Sequence, residues 1–180
     1  IASCLVGSEM CIRDRNNVIN VPQVQIINVS GTASKSYWGG AVWMFFHTIS
    51  VRINGDYYSN NHQYVWDFIK KICKTLPCPY CQQHASAYVD KIAIHQINTK
   101  DKLKTVLFNF HNSVNNRIGK KSENISILNK YNKANVNAIF DLFEQRFFHS
   151  YIGTRTFNDW IKNAVKKEYY DFFNNVRTKF

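Results

Sequence analysis

From Trp38 to Val114 the apolar residues recur every third or fourth position in four successive runs, with breakers between them. Few architectures accept that pattern. Trp38, Ala41, Val42, Phe45, Phe46 and Ile49 form the first buried face. Asn54-Gly55-Asp56 breaks it, and Tyr64, Val65, Phe68, Ile69, Ile72 and Leu76 form the second, stopped by Pro77. Pro79 suits the first turn of a third helix, along which Cys81, Ala85, Tyr88, Val89 and Ile92 lie. Leu103, Val106, Leu107, Phe110 and Val114 point inward on a fourth, ended by Gly119-Lys120-Lys121. Four helices with short links predict an all-α, antiparallel four-helix bundle. The chain's 7 Gly and 3 Pro are too few for an all-β fold of many tight turns.

Two further helical patterns follow. One carries Val136, Ile139, Phe140, Phe143 and Phe147; the other carries Trp160, Ile161, Ala164, Val165, Tyr169, Phe172 and Phe173, after Gly153-Thr154. They predict a C-terminal helical extension, packed on the bundle or on a partner. Upstream, one β-like run from Val24 to Val29 lies in an otherwise polar arm. The stretch from Cys4 to Arg15 resembles the translation of a sequencing adaptor, so Cys4 and Cys11 are set aside with residues 1–15. The chain begins without Met and reads as a fragment or a processed form. Three parts result: an arm over 1–35, a central domain over 36–130 and an extension over 131–180. No apolar run approaches membrane-spanning length.

The net charge of +11 implies an anionic companion: a phosphate-bearing cofactor, an acidic partner or nucleic acid. The basic residues are scattered among Asn and aromatics rather than run together. That reads as a generally basic surface, with no requirement for nucleic acid.

Chemistry concentrates at Cys78-Pro79-Tyr80-Cys81. A cysteine pair opening a helix lies where exposed N–H groups and the helix dipole favour a thiolate, which makes a reversible disulfide. A structural cysteine pair is one alternative. A zinc site of Cys78, Cys81 and His84, with Cys73, is another, although a second ligand pair is missing. A glutaredoxin would need a strand before the motif, where this chain predicts a helix. Trp43 and His47 share one helix face, and His111 and Asn115 share another. Together with the cysteine pair they suit a flat heteroaromatic cofactor, with Trp43 stacking, His47 and His111 flanking, and Asn115 hydrogen-bonding. Lys120 and Lys121 would neutralise a pyrophosphate.

Three segments resemble the Erv/ALR-type FAD-dependent sulfhydryl oxidases. Trp38-Gly39-Gly40-Ala41-Val42-Trp43-Met44-Phe45-Phe46-His47 is similar to that family's Gly-x-x-x-Trp-x-x-x-His helix. Leu76-Pro77-Cys78-Pro79-Tyr80-Cys81 resembles its active-site turn, and His111-Asn112-Ser113-Val114-Asn115-Asn116-Arg117-Ile118-Gly119-Lys120 its His-Asn-x-Val-Asn-x-x-Leu-Gly-Lys motif. The compact form, with Gln82-Gln83-His84 after the cysteines, is most similar to the thiol oxidases of large nucleocytoplasmic DNA viruses. The position of a structural cysteine in many cellular members is Phe108 here. No cysteine pair outside the set-aside residues serves as the shuttle disulfide of many members.

The resemblance implies a four-helix bundle enclosing FAD. It implies Cys78 as the sulfur attacked by a substrate thiolate, and Cys81 as the sulfur nearer the flavin. Gly39, Gly40, Trp43, His47, Cys81, His111, Val114, Asn115, Lys120 and Lys121 would bind the cofactor, with Tyr131 at its adenine end. Electrons from protein thiols would pass through FAD to O2, giving H2O2, with no metal. The resemblance further implies a homodimer through the first two helices and, for a viral source, the host cytoplasm and the virion. Cys73 reads as a core thiol. The competing class is a non-catalytic basic helical binding module with a structural Cys/His zinc site.

Overall fold

The computed structural model describes residues 35–151 and 158–180; the β-like run at Val24–Val29, Cys4, Cys11 and Gly153-Thr154 lie outside them. Among the described residues the secondary structure is entirely helical: α1 (Lys35–Arg52), α2 (Gly55–Lys74), α3 (Pro79–Val89), α4 (Lys100–Arg117), α5 (Val136–His149) and α6 (Asp159–Val176). Short 3-10 segments occupy Ile94–Gln96 and Ile125–Lys133. No helix among the described residues is long and apolar enough to cross a membrane.

Asparagine starts three of the six α-helices among the described residues. The Asn54, Asn135 and Asn158 side chains accept from the backbone N–H groups of Tyr57, Ala138 and Ile161, satisfying first-turn donors that have no partner inside the helix. Thr99 does the same for α4. The richness in Asn, which reads as mere polarity in the sequence, is thus partly helix punctuation. Gly119, at φ 73°, closes α4: its N–H bonds to Asn116 O at 3.2 Å, and Lys120 N–H bonds to Asn115 O at 2.8 Å. α2 is kinked at Asn61 (φ −129°), whose amide donates back to Tyr57 O.

α1 is the axis of the molecule. The sequence predicts one buried face for it, yet every residue from Phe45 to Ser50 is buried. The cause is a second cover: α4 packs on one side and α5 on the other. Phe45 stacks on Phe143 (centroids 4.2 Å apart) and meets Phe140 edge-on at 4.8 Å. Similarly, Phe68 of α2 stacks on Phe172 of α6 at 3.9 Å. The predicted C-terminal helices are therefore packed on the bundle. Lys71 pairs with Glu168 at 2.8 Å, Asn54 N–H donates to Lys179 O, and the Tyr151 hydroxyl donates to Thr75 O, three residues before Cys78. Trp160 departs from expectation: it is 77% exposed, because it sits in the first turn of α6 before the helix reaches its neighbours.

Candidate active site

α1 and α4 run antiparallel, which brings the N-terminus of α1 and the C-terminus of α4 to the same end as the cysteine turn. Lys35 and Arg117 accordingly both act electrostatically on Cys81. The helix α2 precedes the motif, so the strand a glutaredoxin would need is not there.

Cys78 caps α3. Its Sγ accepts the Cys81 N–H at 3.3 Å, and Pro79 follows at the first helical position. Burial raises the Cys78 thiol. Hydrogen bonds from the Cys81 side chain and from the Cys81 and Tyr80 backbone N–H groups, with the Lys35 charge, outweigh that and leave it lowered. Cys81 goes the other way. Burial, its hydrogen bond to Cys78 and the Cys78 charge push it up to about 12. One proton held by two sulfurs, with the charge on Cys78, describes the reduced pair. Cys73 is buried and its thiol is raised by burial, with Asp90 nearby adding to the effect.

A ring cluster stands between α1 and α4. Trp43 stacks on His111 at 4.1 Å and 6°, and Phe110 packs against its edge at 5.1 Å. His47 Nε2 lies 2.9 Å from His111 Nδ1, and Tyr131, from the 3-10 segment Ile125–Lys133, lies 5.5 Å from the His47 ring. Both imidazoles are held neutral. Burial, then the charges of Lys130 and Lys120, lowers His111 to about 3; burial, His111 and Lys130 lower His47 well below its ordinary value. The pair therefore shares one hydrogen between the facing nitrogens. His47 Nδ1 is buried with no hydrogen-bond partner.

Of the residues singled out in the sequence, Trp43, His47, His111 and Tyr131 come together directly. Asn115 is buried beside them on α4, and Val114 packs half-buried on the core. Lys120 is near enough to act on His111, whereas Lys121 is exposed on the loop beyond it. Gly40 is buried in α1; at Gly39 a Cβ would meet no atom within 4 Å. Cys78, Cys81, His84 and Cys73 do not form a metal cage: among the described residues no group of three or more His, Cys, Asp or Glu is arranged to hold a metal ion.

Three contributors escape sequence reasoning. The Arg117 guanidinium lies 4.1 Å above the Tyr80 ring. Asn112 holds the loop after α4 by two bonds to the Glu123 backbone, at 3.0 and 3.1 Å. Tyr151 tethers the strand of chain leading into Cys78. The first two lie inside the His111–Lys120 segment and could be sought there; nothing local marks the third.

The model of the Erv1/Alr family matches residues 40–136. The chain belongs to the Erv1/Alr family. Its relatives include a protein of Invertebrate iridescent virus 3 named as FAD-linked sulfhydryl oxidase 096R, 33% identical over 84 residues, which are 46% of this chain and 57% of that one. One of Frog virus 3, named as FAD-linked sulfhydryl oxidase 088R, is 27% identical over 51% of this chain and 63% of its own length. The FAD-linked sulfhydryl oxidase of African swine fever virus (isolate Warthog/Namibia/Wart80/1980) is 29% identical over 47% of this chain and 71% of its own. The chain thus spans about three fifths of the first curated relatives it matches. No solved structure matches it.

Proposed function

We propose that this chain is an FAD-dependent thiol oxidase that forms disulfides in protein substrates and passes their electrons to O2. The observation that carries the reading is a cysteine pair with opposite protonation tendencies at the start of α3, whose Tyr88 stacks on Phe110 at 4.4 Å, together with a cluster of flat rings, containing an unpartnered imidazole nitrogen, whose Trp43 packs on the same Phe110. The residues present fit FAD. Trp43, His47, His111 and Tyr131 offer ring faces. The unpartnered His47 Nδ1 offers a buried polar atom, and Gly39 leaves open a place that any other side chain would fill. Gly40, Val114, Asn115 and Cys81 complete the proposed lining, and Lys120 and Lys121 are the cations proposed for a pyrophosphate. The names of the viral relatives point the same way.

When bound, FAD supplies the two-electron acceptor that reduces oxygen to hydrogen peroxide. The chain's own residues handle the sulfur chemistry. A substrate thiolate attacks Cys78 Sγ of the disulfide form, and Cys81 leaves. Cys78 is then uncharged in the mixed disulfide, so two of the three influences that raise Cys81 disappear, and Lys35 and Arg117 favour its thiolate. A second substrate thiolate attacks the mixed disulfide and expels Cys78, whose lowered pKa makes it the better leaving group. The catalytic unit spans residues 36–130, with Tyr131 at its border adding a ring face and the rest of 131–180 as structural support, and the chain pairs with a second copy.

The test is oxygen uptake by the purified chain with a small dithiol. One peroxide per dithiol, at a rate proportional to bound flavin, is expected. No uptake by a flavin-loaded protein would refute the activity. No observation favours the metal-bound binding module.

A further inference from the structure

We propose that the mouth around Cys78 selects cysteines flanked by acidic residues. This deepens the thiol-oxidase reading and rests on it. Tyr80, between the two cysteines, is 62% exposed, and Ile118, at the end of α4, is 58% exposed. The guanidinium of Arg117, the residue before Ile118, is held 4.1 Å over the Tyr80 ring. Its charge also reaches Cys81 and His84. Lys35, exposed at the start of α1, reaches both sulfurs. Cations from two separate elements thus face the reacting pair, and the charged side chains that act on the two sulfurs include no carboxylate. Asp90 caps the far end of the helix that carries Cys81, about 14 Å away along its axis. It is already engaged by Lys74 at 2.9 Å and Lys70 at 3.6 Å. Lys120 and Lys121 are assigned to a pyrophosphate and leave Arg117 and Lys35 as the rim.

Arg117 and Lys35 act on Cys81 equally for every substrate, and the rim adds to this an attraction at encounter that depends on the substrate's own charge. A segment carrying Asp or Glu beside its cysteine gains attraction to Arg117 and Lys35 and rests its apolar neighbours on Tyr80 and Ile118. A lysine-flanked cysteine meets like charge. The reaction is ordinary exchange. The peptide's two thiols lose two electrons and become a disulfide, and Cys78–Cys81 gains them and becomes a dithiol.

The test uses the full chain in its disulfide form, without oxygen, and three peptides with the same Cys-x-x-Cys centre flanked by Asp, Ser or Lys. The rate of reduction of Cys78–Cys81 is read by acid quench and mass spectrometry. Each rate is divided by that of the same peptide with a neutral reagent, dithiodipyridine, to remove differences in thiol pKa. Asp-flanked should exceed Lys-flanked by about tenfold at low ionic strength, with the gap closing in high salt. Arg117→Gln and Lys35→Gln should each narrow the spread, and Arg117→Lys should keep it. Equal normalised rates, or a preference for Lys, would overturn the inference while leaving oxidase activity intact. So would an Arg117→Gln that slows all three peptides by the same factor and leaves the spread unchanged, for then Arg117 acts only through Cys81 or Tyr80. A disulfide that no peptide reduces would sink the oxidase reading and this inference together.

Discussion

The two sides of α1 are built for different purposes. Toward α5, Phe45 meets Phe140 and Phe143, all 0% exposed, ring against ring. Toward α4, the same helix presents Trp43 and His47 to His111 and the 3-10 segment carrying Tyr131, and leaves His47 Nδ1 without a partner. A fold that needed only burial would fill the second side as it fills the first. Burying an imidazole with an unmade hydrogen bond costs stability, on the order of 1–3 kcal/mol. The phenylalanine side holds the molecule together, and the ring-and-imidazole side is the one proposed to hold FAD.

The largest expected effect lies at the end of the second side. Cys78→Ser and Cys81→Ser should each reduce dithiol-driven oxygen uptake to background with flavin still bound, while Cys73→Ser, in the buried body of α2, should retain most activity. An active Cys78→Ser beside a dead Cys73→Ser would reverse these roles.

Next comes the contrast itself. Phe143→Ala should cost about 3–5 kcal/mol in denaturant unfolding, as full burial of a phenylalanine dictates. Trp43→Ala, half-buried, should cost clearly less stability but should strip the flavin. If Trp43→Ala unfolds the chain as Phe143→Ala does, the two sides are not distinct. Truncation after residue 130 would remove Phe140, Phe143, Phe147 and the Tyr151 tether to Thr75 at once. It belongs with Phe143→Ala: more is lost in stability than in chemistry, with some flavin affinity going with Tyr131.

How much of this was legible beforehand divides along the same line. The apolar spacing on α1, α2 and α4 announces helices because periodicity is local, and the three motifs mark the site for the same reason. The cover that buries every residue from Phe45 to Ser50 is not local, since Phe45 and Phe143 are brought together only by the fold. Tyr151 and Thr75 meet across 76 residues with no signal at either position. Trp160 misled because an aromatic in a helical pattern is read as inward, whereas a first-turn position can precede the packing contact. The asparagine caps were visible as residues, yet their role depends on where each helix begins.

A pH series sharpens the contrast further. His47 and His111 are neutral in the folded protein, and an unfolded histidine titrates near about 6.5. The unfolded chain therefore binds more protons below that pH. The stability is fully present above about 6.5 and falls as pH drops toward the folded value of about 3 for His111. Melting temperature should be flat above about 6.5 and decline between about 6.5 and 4.5, a range above ordinary carboxylate titration. His111→Gln should make that decline shallower. An unchanged slope would mean the imidazoles are not held neutral.

The smallest effect is at a helix start on the phenylalanine side. Asn135→Ala, removing the cap of α5, should cost about 1 kcal/mol without altering flavin content.

The most direct measurement is the visible absorption spectrum of the purified chain, taken before and after desalting and again for Trp43→Ala. The expected result is flavin absorption in the blue, about one flavin per chain, surviving desalting in the parent and lost in Trp43→Ala while the fold persists. A colourless protein that takes up no FAD on refolding would contradict the assignment of the Trp43–His47–His111 side to a cofactor.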